Sequence, residues 1–348
     1  MTTTTTTTTT FRGKSTILPS GRRWTMWKNG TARGPRWTAW TSALLLVASV
    51  AAPAAADEVP EVVVRAAWGG GDGELGRSGG DESAPVGPMS FAVASSDEVL
   101  VLDQVNRRVA RFDARGRWLG AVPLGLDTFQ DLVLAPGGQL LLLDRLAAQI
   151  VRVLDAGGAT LAETRLLGPG IEEGGGTTAL FVRDDGVWVE YDHRRSVRVL
   201  DAQFAEPFYR VERTGRPLVG GLQGHARLAG PAAVEVWTVD PARDVIAAHA
   251  ELRYDGPVRR IAALAGDAQG RVVVAAHLWE EHPETFLVSD ERLEVRVLEA
   301  ALAERRRFRT TPSVGAWEQF KEFEVTPEGA VWQLAFVAEG VEVRRWRP

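Results

Sequence analysis

The sequence predicts an all-β protein, a six-bladed β-propeller whose blades are four-stranded antiparallel sheets. The first observation is a strand-like motif, V-R-V-L-D-A, which recurs with variations six times. The second is its spacing, because successive copies lie 42 to 54 residues apart, close to the 40–50 residues of a four-stranded blade. The third is an unpaired β pattern ahead of the first blade, at residues 61–68, which is available to close the ring.

Residues 1–56 are predicted to be a targeting segment in front of a single propeller domain at residues 57–348. Nine threonines at residues 2–10 precede a basic stretch, an apolar run at residues 43–52 and the sequence A-A-A at residues 54–56. A basic region, a short apolar core and an A-x-A site are typical of a secretory signal. We therefore predict export to the periplasm, the cell surface or the medium.

The sequence leaves two properties of this segment open. Translation begins at Met1 or at Met26, and the signal is either cleaved or retained as an anchor. A membrane-spanning helix needs about 20 apolar residues, and none is predicted in the mature protein.

The charge balance and the lack of cysteine exclude several classes of protein. Seven of the 40 Lys and Arg residues lie in residues 1–56, which contain no Asp or Glu, so the mature chain has 33 basic against 45 acidic residues, about −12. A nucleic-acid partner is not predicted, because phosphate contacts need a basic surface. With no cysteine, disulfides, thiolate metal ligands and thiol catalysis are excluded.

The recurring motif is predicted to form the third strand of each blade. Its copies are residues 109–114 (VARFDA), 151–156 (VRVLDA), 197–202 (VRVLDA), 252–256 (LRYDG), 295–300 (VRVLEA) and 343–347 (VRRWR). Before each copy comes a second strand, which in most blades opens with a Gly or Asp turn of the kind that favours hairpins. A short apolar inner strand precedes it, and a more polar fourth strand is expected after each copy.

The two ends of the chain predict how the ring closes. The last copy stops at Pro348, so the sixth blade has only three strands of its own. Pairing residues 61–68 with this blade supplies the missing outer strand and removes two exposed edges, which β proteins avoid. The expected product is a monomeric propeller whose last blade is completed by the N-terminal strand.

Residues 68–119 resemble a blade of the NHL-repeat family. They contain a glycine-rich loop, a proline before a short apolar strand, D-Q-V-N-R-R-V at residues 103–109 and F-D at residues 112–113. Elsewhere the pattern is degenerate, although Asp144 is kept. The resemblance implies a propeller fold and, for Asp103 and Asn106, hydrogen bonds to the backbone of their own turn. It does not define an activity, since propellers of this kind include binding scaffolds, lyases and lactonases.

Candidate binding residues are predicted at the mouth of the central channel, at or just before the inner strands. These positions are occupied by Ser90, Asp131, Glu173, His225, Arg260 and Glu322. Asp131 and Glu322 come from non-adjacent blades and could share a divalent metal with His225, the arrangement that a lactonase-like enzyme would need. No Ser-His-Asp order accompanies them.

A second, weaker metal candidate is the densest group of ligand-type residues in the chain. It comprises His277, Glu280, Glu281 and His282, whose imidazole and carboxylate groups suit zinc or another divalent ion. We expect this run to lie on a connecting loop of one blade, where its side chains would not converge.

These observations predict an exported, rigid binding scaffold for a protein, peptide or glycan, with contacts made by loops at the faces of the ring. An aromatic binding face is expected from tryptophans near strand edges, namely Trp118, Trp279, Trp317 and Trp346. No cofactor is predicted for a scaffold. The alternative is a metal-dependent hydrolase or lyase with its site at the channel mouth, and only this alternative requires a divalent metal.

Overall fold

The computed structural model describes residues 58–79, 85–314 and 318–348. The predicted targeting segment at residues 1–56 and Trp317 lie outside the described residues. Within them, the strands form six antiparallel sheets of four strands each. The inner strands of neighbouring blades contact one another at five interfaces, and β12 contacts β14 between the third and fourth blades; this arrangement confirms the predicted six-bladed propeller.

The first three blades follow the N-terminal strand β1, Glu61–Ala67. Blade 1 contains β2 Ser90–Val93, β3 Val99–Asp103, β4 Arg108–Phe112 and β5 Trp118–Pro123. Blade 2 contains β6 Asp131–Leu134, β7 Leu140–Asp144, β8 Ile150–Leu154 and β9 Thr160–Arg165. Blade 3 contains β10 Thr177–Arg183, β11 Gly186–Tyr191, β12 Arg195–Leu200 and β13 Glu212–Thr214.

The remaining blades complete the ring. Blade 4 contains β14 Arg216–Pro217, β15 Gln223–Gly230, β16 Ala233–Asp240 and β17 Val245–Arg253. Blade 5 contains β18 Val258–Gly266, β19 Val272–Glu281, β20 Val288–Leu298 and β21 Glu304–Thr310. Blade 6 contains β22 Phe323–Val325, β23 Val331–Val337, β24 Gly340–Trp346 and the N-terminal β1. Two 3₁₀ turns are Gln104–Asn106 and Gly174–Gly176.

The recurring motif is apolar because neighbouring blades cover both faces of its strand. In β8, Val151 and Val153 pack in a buried cluster with blade 3, whereas Leu154 packs in a cluster with blade 1. Arg152 is half-buried and pairs with Glu163 at 2.8 Å on the outer strand β9. Strands covered on both sides carry nearly continuous apolar runs, and this explains V-R-V-L.

The N-terminal strand closes the ring as predicted. β1 pairs antiparallel with β24, from Glu61 opposite Arg345 to Ala67 opposite Gly340. Val64 of β1 is fully buried in a cluster that joins blades 6 and 1. A glycine is required in the facing turn of blade 1, because Gly116 has φ +73° and a Cβ there would lie 2.1 Å from the Val63 carbonyl oxygen.

Blade 4 departs from the expectation of a polar outer strand after every motif copy. From β17 the chain passes through residues 254–257 directly into β18, the inner strand of blade 5. The fourth strand of this sheet is β14, which pairs with the start of β15. Arg216 of β14 bonds Glu190 of β11 and the Leu264 carbonyl of β18, so β14 lies on the axial side. The outer position of blade 4 is therefore empty.

The interface between blades 3 and 4 also differs from the others. Five clusters of buried apolar side chains join blades 6 and 1, 1 and 2, 2 and 3, 4 and 5, and 5 and 6. Among the described residues no such cluster joins blades 3 and 4. Polar side chains are buried or half-buried there, and they include Glu190, Ser196 and Arg216. We call this interface the polar seam.

Candidate functional site

The inner strands begin with polar residues that face the axis. Each of blades 1 to 4 has such a residue, and it pairs with the residue that precedes the Asp at or just after the end of the second strand. These residues are Ser90, Asp131, Thr177 and Gln223. In blades 3 and 4 this position belongs to Thr177 and Gln223, whereas the predicted residues were Glu173 and His225. The 3₁₀ turn Gly174–Gly176 moves Glu173 away from the inner strand, and His225 lies two residues farther along β15.

Asp131 is 1% exposed and connects three other blades to blade 2. Its carboxylate accepts the Ser90 hydroxyl of blade 1 at 2.6 Å and the Leu180 amide of blade 3 at 3.0 Å. The Lys321 ammonium, just ahead of blade 6, lies 3.4 Å away. Because these partners occupy both oxygens, the structure gives Asp131 the role of a link between inner strands; ligand binding by Asp131 stays a prediction.

Lys321 is the single lysine of the mature chain and lies at the axis. Its ammonium donates to the Leu132 carbonyl at 2.6 Å and lies 3.2 Å from Glu324. Burial disfavours the charge, but the carboxylates of Asp131 and Glu324 together raise the pKa of Lys321 above its usual value. It is therefore protonated at neutral pH and does not offer a free amine for Schiff-base chemistry.

Arg260 and Glu322 form one network between blades 5 and 6. Arg260 Nη2 donates to Glu322 at 2.9 Å, and Gln333 donates to the other carboxylate oxygen at 3.1 Å. Arg260 Nε also donates to His277 Nδ1 at 3.1 Å, and His277 Nε2 lies 2.8 Å from Glu291. Since arginine can only donate, Nδ1 must accept, and the proton of neutral His277 is on Nε2.

Burial lowers the pKa of His277, and the neighbouring Arg260 charge lowers it further. The imidazole is therefore neutral at neutral pH. A fixed tautomer, a carboxylate on Nε2 and an arginine on Nδ1 leave neither ring nitrogen free for a metal. The network links blades 5 and 6, because Glu322 accepts from Arg260 of blade 5 and from Gln333 of blade 6.

The weaker metal candidates lie on a strand, and the expectation of a connecting loop is wrong. His277, Glu280 and Glu281 belong to β19, which pairs with β20. Successive side chains of a strand point to opposite faces, so Glu280 and Glu281 diverge. His282 begins the turn, where its Nδ1 accepts the Glu284 amide at 3.3 Å. Across residues 58–79, 85–314 and 318–348, no three His, Asp or Glu side chains are grouped closely enough to hold a metal.

His225 lies at the polar seam with an aromatic partner. Its ring stacks on Trp237, with centroids 4.7 Å apart and planes at 5°. Burial lowers the pKa of His225, so it is neutral at neutral pH. It has no contact with Asp131 or Glu322 in the structure described, and the three residues do not form the metal site that the alternative function would use.

Glu173 lines a pocket of about 430 Å³ on blade 3, which we call the blade 3 pocket. Its lining residues come from the turn before β10 and from the hairpin between β11 and β12, and they are Glu172, Glu173, Tyr191, Asp192, Arg194 and Arg195. Asp192 and His193 both have φ +53°, which makes a tight turn that presents the following arginines. The pocket therefore combines carboxylates, guanidinium groups and one phenol.

The walls of the blade 3 pocket are held in place. Arg195 donates to Glu172 at 2.8 Å and its guanidinium lies 4.9 Å from the centroid of the Tyr191 ring. A Cβ on Gly176 would lie 2.6 Å from that ring, so glycine is required for the ring to lie there. Desolvation and the charge of Glu172 raise the pKa of Tyr191, which keeps its hydroxyl protonated as a donor.

Asp103 and Asn106 stabilise the entry to blade 1. Asp103 accepts the Gly76 amide at 2.9 Å, and Asn106 donates to the Gly69 carbonyl at 2.9 Å. Asn106 also donates to the Asp103 carboxylate at 2.8 Å within their own turn. Their backbone partners, however, lie in the glycine-rich loop, whereas the family resemblance implies backbone partners in that turn. Asp144 does bond its own turn, at the Ala147 amide, at 2.9 Å.

The predicted aromatic face is wrong for Trp346, which is 2% exposed and stacks on Phe308 with centroids 4.9 Å apart. Trp118 packs edge-on against Phe112 at 5.6 Å. Trp279 is half-buried beside His277. These tryptophans belong to different blades and contribute mainly to packing.

Comparison with known proteins supplies no family. No family model matches the chain, and no curated protein matches it. Similar solved structures include Kuenenia stuttgartiensis hydrazine synthase (13% identity, 72% of this chain and 76% of that chain, TM-score 0.46) and a DUF4221 family member from Bacteroides vulgatus (11%, 76% and 93%, 0.46). Streptogramin B lyase is also similar (11%, 74% and 92%, TM-score 0.39). No function is transferred from likenesses this distant.

In the three described ranges, no helix is long and apolar enough to cross a membrane.

Proposed function

We propose that this chain is an exported propeller that acts as a rigid binding scaffold, and that the blade 3 pocket binds a segment of a protein, a peptide or a glycan. The observation that carries the proposal is the pocket itself, which collects two glutamates, an aspartate, two arginines and a tyrosine at the end of one blade. Such paired donors and acceptors suit a polar ligand that carries both kinds of group.

The contrast with the axis supports this choice. The inward residues Asp131 and Glu322 are nearly buried and are bonded to other blades, so they have little capacity for a ligand. The pocket residues lie in or next to surface turns of a rigid sheet, and turns on a rigid scaffold are common sites of ligand binding. Arg195 and Tyr191 are positioned before any ligand arrives, which reduces the entropic cost of binding.

The test is a screen of the purified mature chain against a displayed peptide library and a glycan array. A ligand that depends on the pocket should bind at least about tenfold more weakly to Tyr191→Ala and to Arg195→Ala, a loss of about 1.4 kcal/mol. Arg117→Ala is the matched control, because that exposed arginine pairs with Asp113 on blade 1. Ligands whose affinity is the same for all four proteins would contradict the proposed site.

Export is tested separately. The N-terminus of protein recovered from the envelope or medium should be residue 57, because the predicted signal ends at residue 56. Full-length protein confined to the cytosol would refute export and leave the pocket proposal unaffected.

A further inference from the structure

Blade 4 has no described strand beyond the one that corresponds to the third strand of its neighbours, since Gln223 of β15 takes the inner-strand position that Thr177 takes in β10. β17 is the last strand of this blade, whereas blade 5 extends outward to β21 and blade 3 to β13. β17 is therefore the outer edge of this sheet in the described ranges, and most of its residues from 245 to 251 are exposed. We call residues 245–251 the blade 4 edge.

The backbone of this edge has donors and acceptors that point outward. The Tyr254 amide donates to the Ala232 carbonyl at 2.9 Å, and hydrogen-bonded pairs alternate along an antiparallel ladder. With Glu235 opposite Glu251 and Trp237 opposite His249, the amides of His249 and Glu251 point away from β16. In the described ranges, no strand pairs with β17 on that side.

The blade 4 edge also lacks the usual protection against pairing. Free edges are commonly blocked by proline, by lysine or by a high density of charge. β17 reads VIAAHAELR, with three alanines and no proline, whereas β21 reads ERRRFRT. Val245 and Ile246 are 49% and 64% exposed. The register shift of this pair lies before Ala248, so the ladder beyond it is regular.

A groove of about 350 Å³ runs across the face of blade 4 to this edge. It is lined by Arg227, Glu235, Trp237, Ile246 and His249. Its charged groups already satisfy one another, because Glu235 pairs with Arg227 and lies 2.8 Å from His249. What the groove offers a ligand is the apolar surface of Trp237 and Ile246, so it fits a large apolar side chain.

We propose that the blade 4 edge binds an extended segment of a partner protein as an added outer strand, with an apolar side chain of that strand in the groove. Main-chain hydrogen bonds would supply affinity and the groove would supply specificity, as in strand addition generally. We commit to a partner segment with alternating apolar side chains, because the outward amides of His249 and Glu251 lie beside the apolar surface of Trp237 and Ile246; a second copy of this chain is an outcome that the test distinguishes. The edge shares no residue with the blade 3 pocket, so the two proposals stand or fall separately.

The test uses a capped nine-residue peptide in which phenylalanine or valine alternates with threonine, with a lysine at each end. Titration calorimetry measures its binding to the mature chain, and hydrogen exchange followed by NMR reports protection of single amides. Binding should slow exchange at His249 and Glu251 by at least about tenfold. The same peptide with its central residue replaced by proline should not bind, because proline cannot donate to the ladder.

Two variants locate the binding. Glu251→Pro removes an amide that points away from β16, a position at which an edge strand tolerates proline, and it should abolish peptide binding. Glu251→Ala is the matched control and should bind with unchanged affinity. Trp237→Ala should weaken binding at least about tenfold through loss of the groove surface, and this variant tests the proposal if Glu251→Pro does not fold.

The outcomes against the proposal are specific. Binding by the proline peptide, or peptide binding that survives both Glu251→Pro and Trp237→Ala, would overturn it. So would slowed exchange at β17 that depends on protein concentration without peptide, since that result would identify a second copy as the occupant.

Discussion

The buried pair of Glu190 and Arg216 links blades 3 and 4 across the polar seam. Arg216 Nη2 lies 2.6 Å from the Glu190 carboxylate, whose side chain is 3% exposed. Burial opposes ionisation of Glu190, but the Arg216 guanidinium outweighs it and holds the pKa of Glu190 well below 4.5. Removing one member of such a pair leaves a buried charge without compensation, which is more costly than losing a surface bridge.

Glu190→Gln should lower the free energy of unfolding by about 3–5 kcal/mol at pH 7. A carboxyl group whose pKa is depressed on folding stabilises the native state above its unfolded pKa, and this contribution is lost as the pH falls. The difference between wild type and variant should therefore shrink progressively below about pH 4.5. Urea denaturation followed by tryptophan fluorescence, repeated between pH 3.5 and 7, measures it.

Glu163→Gln is the control for this charge effect. Glu163 pairs with Arg152 at 2.8 Å but its side chain is 44% exposed, and surface pairs contribute about 0–1 kcal/mol. A loss in Glu190→Gln that is equally large at pH 3.5 and pH 7 would show that packing, not ionisation, is responsible.

At the scale of elements, β1 is the piece whose removal affects the ring most. It pairs with β24 from Gly340 to Arg345, and it buries Val63, Val64 and Ala66 between blades 6 and 1. Burial of each large aliphatic side chain contributes about 1.5–3 kcal/mol. Without β1, the edge of β24 and this apolar surface would both be exposed.

Deletion of residues 57–68 should therefore lower Tm by at least about 10 °C, given that 1 kcal/mol corresponds to about 2–4 °C for a chain of this size. Differential scanning calorimetry measures the change. A chain with the same residues joined after Pro348 by a short glycine-serine linker should recover most of the lost stability. An unchanged Tm after deletion would contradict the closure by β1.

Most elements were predictable because the motif is defined by packing on both faces of a strand. Val151 and Val153 pack against blade 3, and Leu154 packs against blade 1. The same packing on both faces accounts for the recurrence of the motif. Blade 4 was not predictable in the same way, since LRYDG resembles the other copies but leads to β18 within residues 254–257. Whether an outer strand forms depends on how many residues follow the motif copy. Because the spacing of the copies varies from 42 to 54 residues, the spacing does not show which copy lacks an outer strand.

The site was less predictable than the fold because contact depends on register. The inner-strand positions of Asp131 and Glu322 could be read from the repeat, but their partners, Leu180 and Arg260, come from other blades. The blade 3 pocket was missed apart from Glu173. Its one signal in the sequence is the close succession of charged pairs, Glu172-Glu173 and Arg194-Arg195, on either side of two strands.

At the scale of the whole molecule, stability is distributed unevenly around the ring. Five interfaces between blades have apolar clusters, and in the described chain the polar seam has none. At the seam, Ser196 donates to the Gly215 carbonyl at 2.7 Å and Arg183 donates to the Pro217 carbonyl at 2.6 Å. Desolvation lowers the pKa of Arg183 to about 10, because burial opposes its charge. For the same contact area, forming a polar interface has a larger desolvation penalty than forming an apolar one. We therefore expect the ring to open first at the polar seam.

The lack of cysteine makes this opening measurable, since each introduced thiol is the only one in the protein. Ser196→Cys places a thiol at the seam, and Ala110→Cys places one in the cluster between blades 6 and 1; both native residues are 0% exposed. Labelling of Ser196→Cys by a maleimide should be at least about tenfold faster at low denaturant, because local opening has a lower free energy than global unfolding. Ala275→Cys, in the cluster between blades 5 and 6, should label as slowly as Ala110→Cys. Equal rates at all three positions, after correction for the global stability of each variant, would mean that the ring opens as one unit and that the seam is no weaker than the apolar interfaces.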